Sequence, residues 1–461
     1  MMINENSGLL EVYRIENTGT HTRMHSIPVG VRPDMIMPTS DCRTVVFAVE
    51  GNAYNNGSHF IDPEGAIGII RFPHADGIAG SYQYTQLDFR KFNDAWQDLV
   101  SRGARFIYRE NNNKFSNDVE PEYITFNTDE SIAYVSLQEN NAVAEVDLIT
   151  LNITAIHPLG FKNWTESKLD VSDKDKGINI RQWPVMGMYQ PDVIKFVTIG
   201  DKSYLLTANE GATKDYSDIE GSGGFNEASR VEDLTIDDPY HETAHVPFWA
   251  SQNGFFWNLQ TEKNLGRLVV SNLEGKHDNV YDDLFTFGGR SISLYDTSTF
   301  TQVYDSGSDV EEKIAQYQPD LFNANGKPES SIVSKTKDAR SDARGPEVEC
   351  LAVAKDGDST VIFVGIERPG LIAIYSIPGS DVNAIKFESL WSGIPKTNET
   401  YQSLYNQRVI SDVGLDDLRY IPANESPNNK PLLLSTASTS GTVSIFEIKG
   451  LTGPIGSGNV R

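Results

Sequence analysis

The sequence predicts an all-β fold, a β-propeller of about six to seven four-stranded blades around a central channel, with a long acidic insertion loop. Three observations predict it. A unit of two apolar strands joined by a short turn recurs along the chain. A carboxylate stands at the start of nearly every first strand and at the end of nearly every second. A third short alternating strand follows most of the units.

Leu9 to Ile15 (LLEVYRI) precedes the first unit and reads either as completing the last blade or as following a missing upstream piece; closure is the expectation, because a long apolar edge left open invites aggregation. The first unit, Arg32 to Glu50, reads RPDMIMPTSDCRTVVFAVE, and its third strand is Ala66 to Arg71. A Gly/Asn-rich loop, 51–65, lies between them. A short helix is expected around Phe92 to Val100, with Trp96 and Leu99 as packing residues. The second unit, Glu120 to Glu139 (EPEYITFNTDESIAYVSLQE), is followed by Ala142 to Leu148. The third, Gly187 to Gly211, opens on Pro191-Asp192, turns at Gly200-Asp201 and ends on Asn209-Glu210.

An insertion, 212–265, follows directly and carries Asp215, Asp218, Glu220, Glu227, Glu232, Asp233, Asp237 and Asp238. Loops of that length are unusual unless functional, so it is expected to act as a loop or lid over the acidic mouth. Strands resume at Gly266 to Ser271, Arg290 to Asp296 and Thr301 to Asp305. The fourth and fifth units are Gly345 to Glu367 and Gly414 to Ser438, with third strands Leu371 to Ile377 and Thr442 to Ile448. Residues 1–449 therefore read as a single propeller domain, and 450–461 as a flexible tail or linker.

Two strands joined by a short turn run antiparallel, so the start of the first and the end of the second share one end of the hairpin. Asp34/Glu50, Glu122/Glu139, Asp192/Glu210 and Glu347 or Glu349/Glu367, with Asp416, are thereby expected around one mouth. Desolvation and mutual repulsion both oppose full ionisation of such a cluster. Hard divalent cations with oxygen ligands, calcium above all, relieve it. In the competing reading each acid only starts a strand by accepting from nearby backbone N–H groups. The acid-rich segment 164–180 lacks the spacing and closing glutamate of a calcium loop.

The net charge of −25 over 461 residues argues against a nucleic-acid partner, which needs a basic face. No run of 18 apolar residues is present, so no membrane span is expected. The start, MMINENSG, lacks the order of a signal peptide, and a secreted protein would be represented here by a trimmed form. Cys42 and Cys350 are either buried thiols or one bridge. Asn56, Asn152, Asn163, Asn398 and Asn424 head glycosylation sequons.

Asp62-Pro63-Glu64-Gly65, Pro121-Glu122-Tyr123-Ile124, Thr207-Ala208-Asn209-Glu210-Gly211, Gly288-Gly289-Arg290-Ser291, Gly345-Pro346-Glu347 and Glu367-Arg368 together resemble the choice-of-anchor I family. The resemblance runs from about Ile27 to Ile448. It implies a propeller and an extracellular or cell-surface setting. The family includes bacterial surface or secreted proteins and animal mesenchyme-specific cell surface glycoproteins associated with biomineralisation. Two departures stand out: Leu415-Asp416-Asp417 replaces the family's usual Pro-Glu-Gly, and Ser438 stands where a glutamate is expected. Some relatives carry phosphatase or phytase-like labels.

The chain has no Gly-x-Ser-x-Gly elbow, no His-Glu-x-x-His and no histidine ligand spacing. The first functional expectation is a calcium-binding matrix or adhesion module whose partners are divalent cations and extracellular surface components. The second is a calcium-dependent phosphoesterase, with Arg290, Arg344 or Arg368 clamping phosphate oxygens. A third is an interaction scaffold without metal. Each arginine has a plainer alternative, the neutralisation of a neighbouring acid.

Overall fold

The computed structural model describes residues 2–4, 8–73, 81–236, 259–327 and 329–449. The fold is all-β, built chiefly of antiparallel sheets. The chain forms two compact units: Met1–Gly160 with Ala212–Glu227, and Phe161–Gly211 with Ala228–Arg461.

The first unit contains a three-stranded sheet, Met2–Asn4, Leu9–Ile15 and His21–Pro28, and two four-stranded sheets. One runs Pro33–Pro38, Thr44–Val49, Ala66–Arg71, Gln83–Asp88. The other runs Pro121–Phe126, Ile132–Leu137, Ala142–Asp147, Asn152–Pro158. Both faces of the 33–88 sheet are covered. Val45, Phe47 and Ile70 pack with Leu10, Val12 and Ile27, whereas Val46, Ala48, Ile67 and Ile69 pack with Ile124, Val135 and Ala144. Two-sided burial is why TVVFAV and AIGIIR are apolar throughout rather than alternating. A short helix does form, at Trp96–Ser101, and Leu99 is buried under it.

Leu9–Ile15 does not complete the last sheet; it pairs with its sequence neighbours Met2–Asn4 and His21–Pro28. A tight turn at Gly19 brings His21–Pro28 back at a small cost in loop closure, whereas closure onto the chain's last strands spans most of the sequence. The sheet Leu415–Ile421, Leu432–Ala437, Thr442–Glu447 accordingly has three strands.

The second unit contains that sheet and two four-stranded ones. Val348–Asp356, Ser359–Ile366, Leu371–Ile377 and Lys386–Ser392 follow one another in sequence. Ile194–Ile199 and Lys202–Asn209 take their third and fourth strands, Ser291–Asp296 and Thr301–Asp305, from beyond the insertion.

The described parts of the insertion are folded rather than a bare loop. Ala228–Arg230 and Val269–Ser271 pair in a five-stranded sheet, above a core that includes Val231, Leu259, Leu265 and Leu268. Residues 237–258, with the expected acids Asp237 and Asp238, lie outside the described residues.

Residues 212–227 belong to the first unit and are tied into it by buried charge. Lys214 Nζ lies 3.3 Å from Asp118 Oδ1 and 3.1 Å from Glu120 Oε1, and it donates to Asp118 O at 2.8 Å. Glu227 pairs with Arg105, both side chains fully buried, and Glu227 Oε1 accepts from Lys214 N at 2.6 Å. Asp118 also accepts from Ile107 N at 2.7 Å and Tyr108 N at 2.8 Å. Lys214→Met keeps the length of the side chain but leaves Asp118 and Glu120 buried without the ammonium. Loss of one partner from such a network is expected to cost about 3–5 kcal/mol, read as a lower urea midpoint for the first unit.

Candidate metal centre

Registers Pro33↔Val49, Pro121↔Leu137 and Val348↔Ile366 place the two carboxylates of each hairpin at one end. Backbone bonds close these ends: Glu50 N to Arg32 O at 3.1 Å, Asp192 N to Ala208 O at 3.2 Å and Glu367 N to Glu347 O at 2.8 Å. The first strands share a further feature. The register shifts between Pro33 and Ile36, Pro121 and Ile124, Val348 and Cys350, and Leu415 and Asp417. The residues inside those shifts include Asp34, Glu122, Glu349 and Asp416. An extra residue in one strand re-aims its side chain, so the acid is turned where an unbroken ladder would not send it.

In the first unit, Glu50 is mostly buried and its carboxyl is pushed up to about 9, by burial first and then by the Asp34 charge; Arg32 opposes this, and Glu139 and Glu120 add smaller pushes. Burial and the Glu120 charge also raise Glu139, although Lys214 opposes them. Asp62, whose Oδ1 is buried without a hydrogen-bond partner, is pushed up to about 7, chiefly by burial. Asp34 is exposed and Glu122 half-buried.

In the second unit the acids come closest together. Asp192, Glu210 and Glu349 each offer an oxygen within 4.8 Å of the others, and so do Glu210, Glu347 and Glu367. The two groups differ in their company. Glu347, fully buried at a left-handed φ of 53°, is met by three guanidinium groups. Arg340 pairs with its Oε1, while Arg344 Nη2 and Arg368 Nε lie 3.2 and 3.3 Å from its Oε2. Arg344 also holds Glu210 Oε1 at 2.6 Å and donates to Gly211 O. Arg368 holds Glu367 at 2.8 Å. Burial, and then the Arg344 and Arg368 charges, push Arg340 down to about 10.

The company of Glu349 is another acid, since its carboxyl shares a hydrogen bond with that of Asp192. Glu349 is buried, and its Oε2 has no hydrogen-bond partner. Its carboxyl is raised well above the ordinary range by burial, then by the charges of Glu210, Asp192 and Glu367. Asp416 is exposed on its strand and belongs to neither group.

Among the phosphate-clamp candidates, Arg290 is buried and bonded to protein oxygens: Asp170 O at 2.7 Å, Glu311 Oε1 at 2.8 Å, Ser341 O at 2.9 Å and Ala343 O at 2.7 Å. Arg344 and Arg368 serve Glu210, Glu347 and Glu367 as above. All three lie in ion pairs with neighbouring acids, as the plainer alternative has it. Sequence reasoning missed Arg340, Lys214, Arg105, Asp118 and Glu120. The run Arg340-Ser-Asp-Ala-Arg344-Gly-Pro-Glu347 held a signal, two arginines just ahead of a Pro-Glu step. Nothing local to Lys214 marks it as buried.

Cys42 and Cys350 are both free, the first exposed and the second buried. Of the sequon residues, Asn56, Asn152, Asn398 and Asn424 are exposed. Asn163 is half-buried, its Oδ1 accepting from Thr165 N at 3.0 Å.

The family model for the choice-of-anchor I domain matches residues 2–380. The chain belongs to the choice-of-anchor I domain family. One relative of this family member is Gigasin-3a from Magallana gigas, 42% identical over 200 residues, which are 43% of this chain and 69% of that protein. Another is the mesenchyme-specific cell surface glycoprotein of Strongylocentrotus purpuratus, 32% identical over 395 residues. That match takes in 80% of this chain but only 46% of the relative. Similar solved structures include Saccharomyces cerevisiae Sqt1, at 10% identity and a TM-score of 0.37, covering 96% of this chain and 80% of that one. The β-propeller domain of Myceliophteria thermophila Cps50 (Swd1) is 7% identical with a TM-score of 0.34, covering 97% and 95%. No helix among the described residues is long and apolar enough to cross a membrane.

The raised Glu50 carboxyl carries a pH signature. An acid whose folded value lies above its unfolded one holds a proton that the unfolded chain gives up, so its stabilising effect is lost as pH rises. For Glu50 that window runs from 4.5 to about 9. In metal-free buffer, urea unfolding of the first unit is expected to show stability falling across this window. Glu50→Gln is expected to flatten the slope by up to about 1.4 kcal/mol per pH unit, the value for one proton.

Proposed function

We propose that the chain is an extracellular or cell-surface module that holds a divalent cation, calcium, at Asp192, Glu210 and Glu349. One observation carries the reading: five clustered carboxylates, those of Asp192, Glu210, Glu347, Glu349 and Glu367, face the three guanidinium groups of Arg340, Arg344 and Arg368. The shortfall is two positive charges, and the buried Glu349 Oε2 is left without a hydrogen-bond partner. Protons or one divalent ion would make it good. Every donor is a carboxylate oxygen, the ligand class that suits calcium, which also accepts waters to complete its shell. The arginine-paired group of Glu210, Glu347 and Glu367 has its compensation already.

The setting is supported by family membership and by the surface glycoprotein among the relatives. On this reading the partners are cations and matrix or surface components, and a part in biomineralisation would follow from holding calcium at such a surface. The same arginine pairing weighs against a phosphoesterase, because phosphate oxygens would have to displace Glu210, Glu347 or Glu367 from Arg344 and Arg368.

Metal analysis of the purified chain and thermal unfolding with calcium or chelator test the proposal. Calcium at one hundred times its dissociation constant is expected to stabilise the fold by about 2.7 kcal/mol. Asp192→Asn and Glu349→Gln are each expected to abolish that gain. An unchanged melting temperature in wild type would favour the metal-free scaffold. Calcium-dependent turnover of phosphomonoesters or diesters that is lost in Asp192→Asn would favour the enzyme.

A further inference from the structure

We propose that Arg290, which reaches the acids only through other residues, positions the seat formed by Asp192, Glu210 and Glu349 and sets its discrimination between calcium and magnesium. This rests on the cation reading above and names the residue that controls it.

Arg290 closes a cycle of bonds around Glu210. Its backbone N donates to Asn209 O at 3.0 Å, one residue before Glu210. Its Nη2 donates to Ser341 O at 2.9 Å and Ala343 O at 2.7 Å. The residue after Ala343 is Arg344, whose Nη1 holds Glu210 Oε1 at 2.6 Å. The backbone that carries Glu210 and the guanidinium that orients its carboxylate therefore both hang on one residue, the first through the Arg290 backbone N–H and the second through its side chain.

That side chain is itself anchored. Nη1 donates to Asp170 O at 2.7 Å and to Glu311 Oε1 at 2.8 Å. Glu311 sits on the helix Asp309–Tyr317 and also accepts from Asn323 Nδ2 at 2.7 Å and Asp170 N at 3.2 Å. Arg290 is 1% exposed, and its own φ of 48° is left-handed. The 341–345 backbone lies hard against the guanidinium. Gly345 has a φ of 63°, and a Cβ there would come within 2.8 Å of Arg290 Nη1. Lysine cannot reproduce this anchor, since a single ammonium cannot serve four acceptors set out around a planar fork.

Rigidity of this kind bears on ion choice. Magnesium demands short bonds in near-ideal octahedral geometry, whereas calcium accepts longer bonds and a looser shell. A Glu210 fixed through Arg290 and Arg344 cannot draw in around the smaller ion. Once that hold is loosened, the spacing is free to adapt, and the preference for calcium narrows.

The test is calorimetric titration of the full chain with calcium chloride and with magnesium chloride. Wild type, Arg290→Lys and Leu433→Ala are compared, the last a core truncation in the 415–447 sheet of the same unit. Arg290→Lys is expected to lose roughly tenfold in calcium affinity, the scale of effect seen for groups that orient a ligand, and to narrow the calcium-to-magnesium ratio. Leu433→Ala is expected to lower the melting temperature and leave the ratio unchanged. Gly345→Ala, which pushes the loop off the guanidinium, is the second variant should Arg290→Lys fail to fold, and it is expected to narrow the ratio in the same way. An unchanged ratio in the Arg290 or Gly345 variant, or an equal change in Leu433→Ala, overturns the inference and leaves the cation reading standing. A wild type that binds neither ion removes both.

Discussion

A buried glutamate that gathers three guanidinium groups is the constraint on which the second unit's candidate site depends. Glu347 has no exposed surface, so its charge has to be met from within the protein, and Arg340, Arg344 and Arg368 meet it. Charges taken out of water cost more than their mutual attraction returns unless the geometry is good and the remaining donors are used. Two of the three arginines have further partners. Arg344 reaches Glu210 and Arg368 reaches Glu367, so the ends of two different hairpins are fastened to one carboxylate. The buried Glu349 Oε2, without a hydrogen-bond partner, marks where compensation runs out.

The first unit meets the same electrostatic problem by another route. Its acids Asp118, Glu120 and Glu227 are answered by Lys214 and Arg105, and both Lys214 and Glu227 come from residues 212–227, distant in sequence from the hairpins they serve. Burial, and then the charges of neighbouring acids, drive the carboxyls of Glu50 and Glu139 upward against the opposing pull of Arg32 and Lys214. A local arginine-rich turn in one case and a long excursion of chain in the other perform the same electrostatic task.

Much of the fold was legible because its signals are local. Apolar runs such as TVVFAV and YLLTAN, broken by Gly or Asp turns, read directly as paired strands, and the shared hairpin end follows from antiparallel pairing alone. The acid positions were legible for the same reason. Three things were not. The register shift beside Asp34, Glu122, Glu349 and Asp416 is invisible in a pattern of apolar residues, since an extra residue leaves the alternation nearly intact. The pairing of Leu9–Ile15 turned on whether a nearby or a distant strand would cover it, and the nearby one won on chain entropy. The burial of Lys214 and Arg105 depends on contacts between segments roughly a hundred residues apart, which no local motif announces. In the insertion, a high count of acids suggested a solvated lid, yet Glu227 is fully buried because one arginine stands opposite it.

The first unit is discontinuous in sequence, and this bears on how the protein can be dissected. A fragment stopped at Gly160 would retain Asp118, Glu120 and Arg105 in its interior while discarding the lysine and the glutamate that balance them. The complementary piece, begun at Phe161, would carry Lys214 and Glu227 on a stretch of chain deprived of its counterparts. No single scission yields two self-sufficient halves; synthesis must proceed past residue 227 before the earlier unit can be electrically whole.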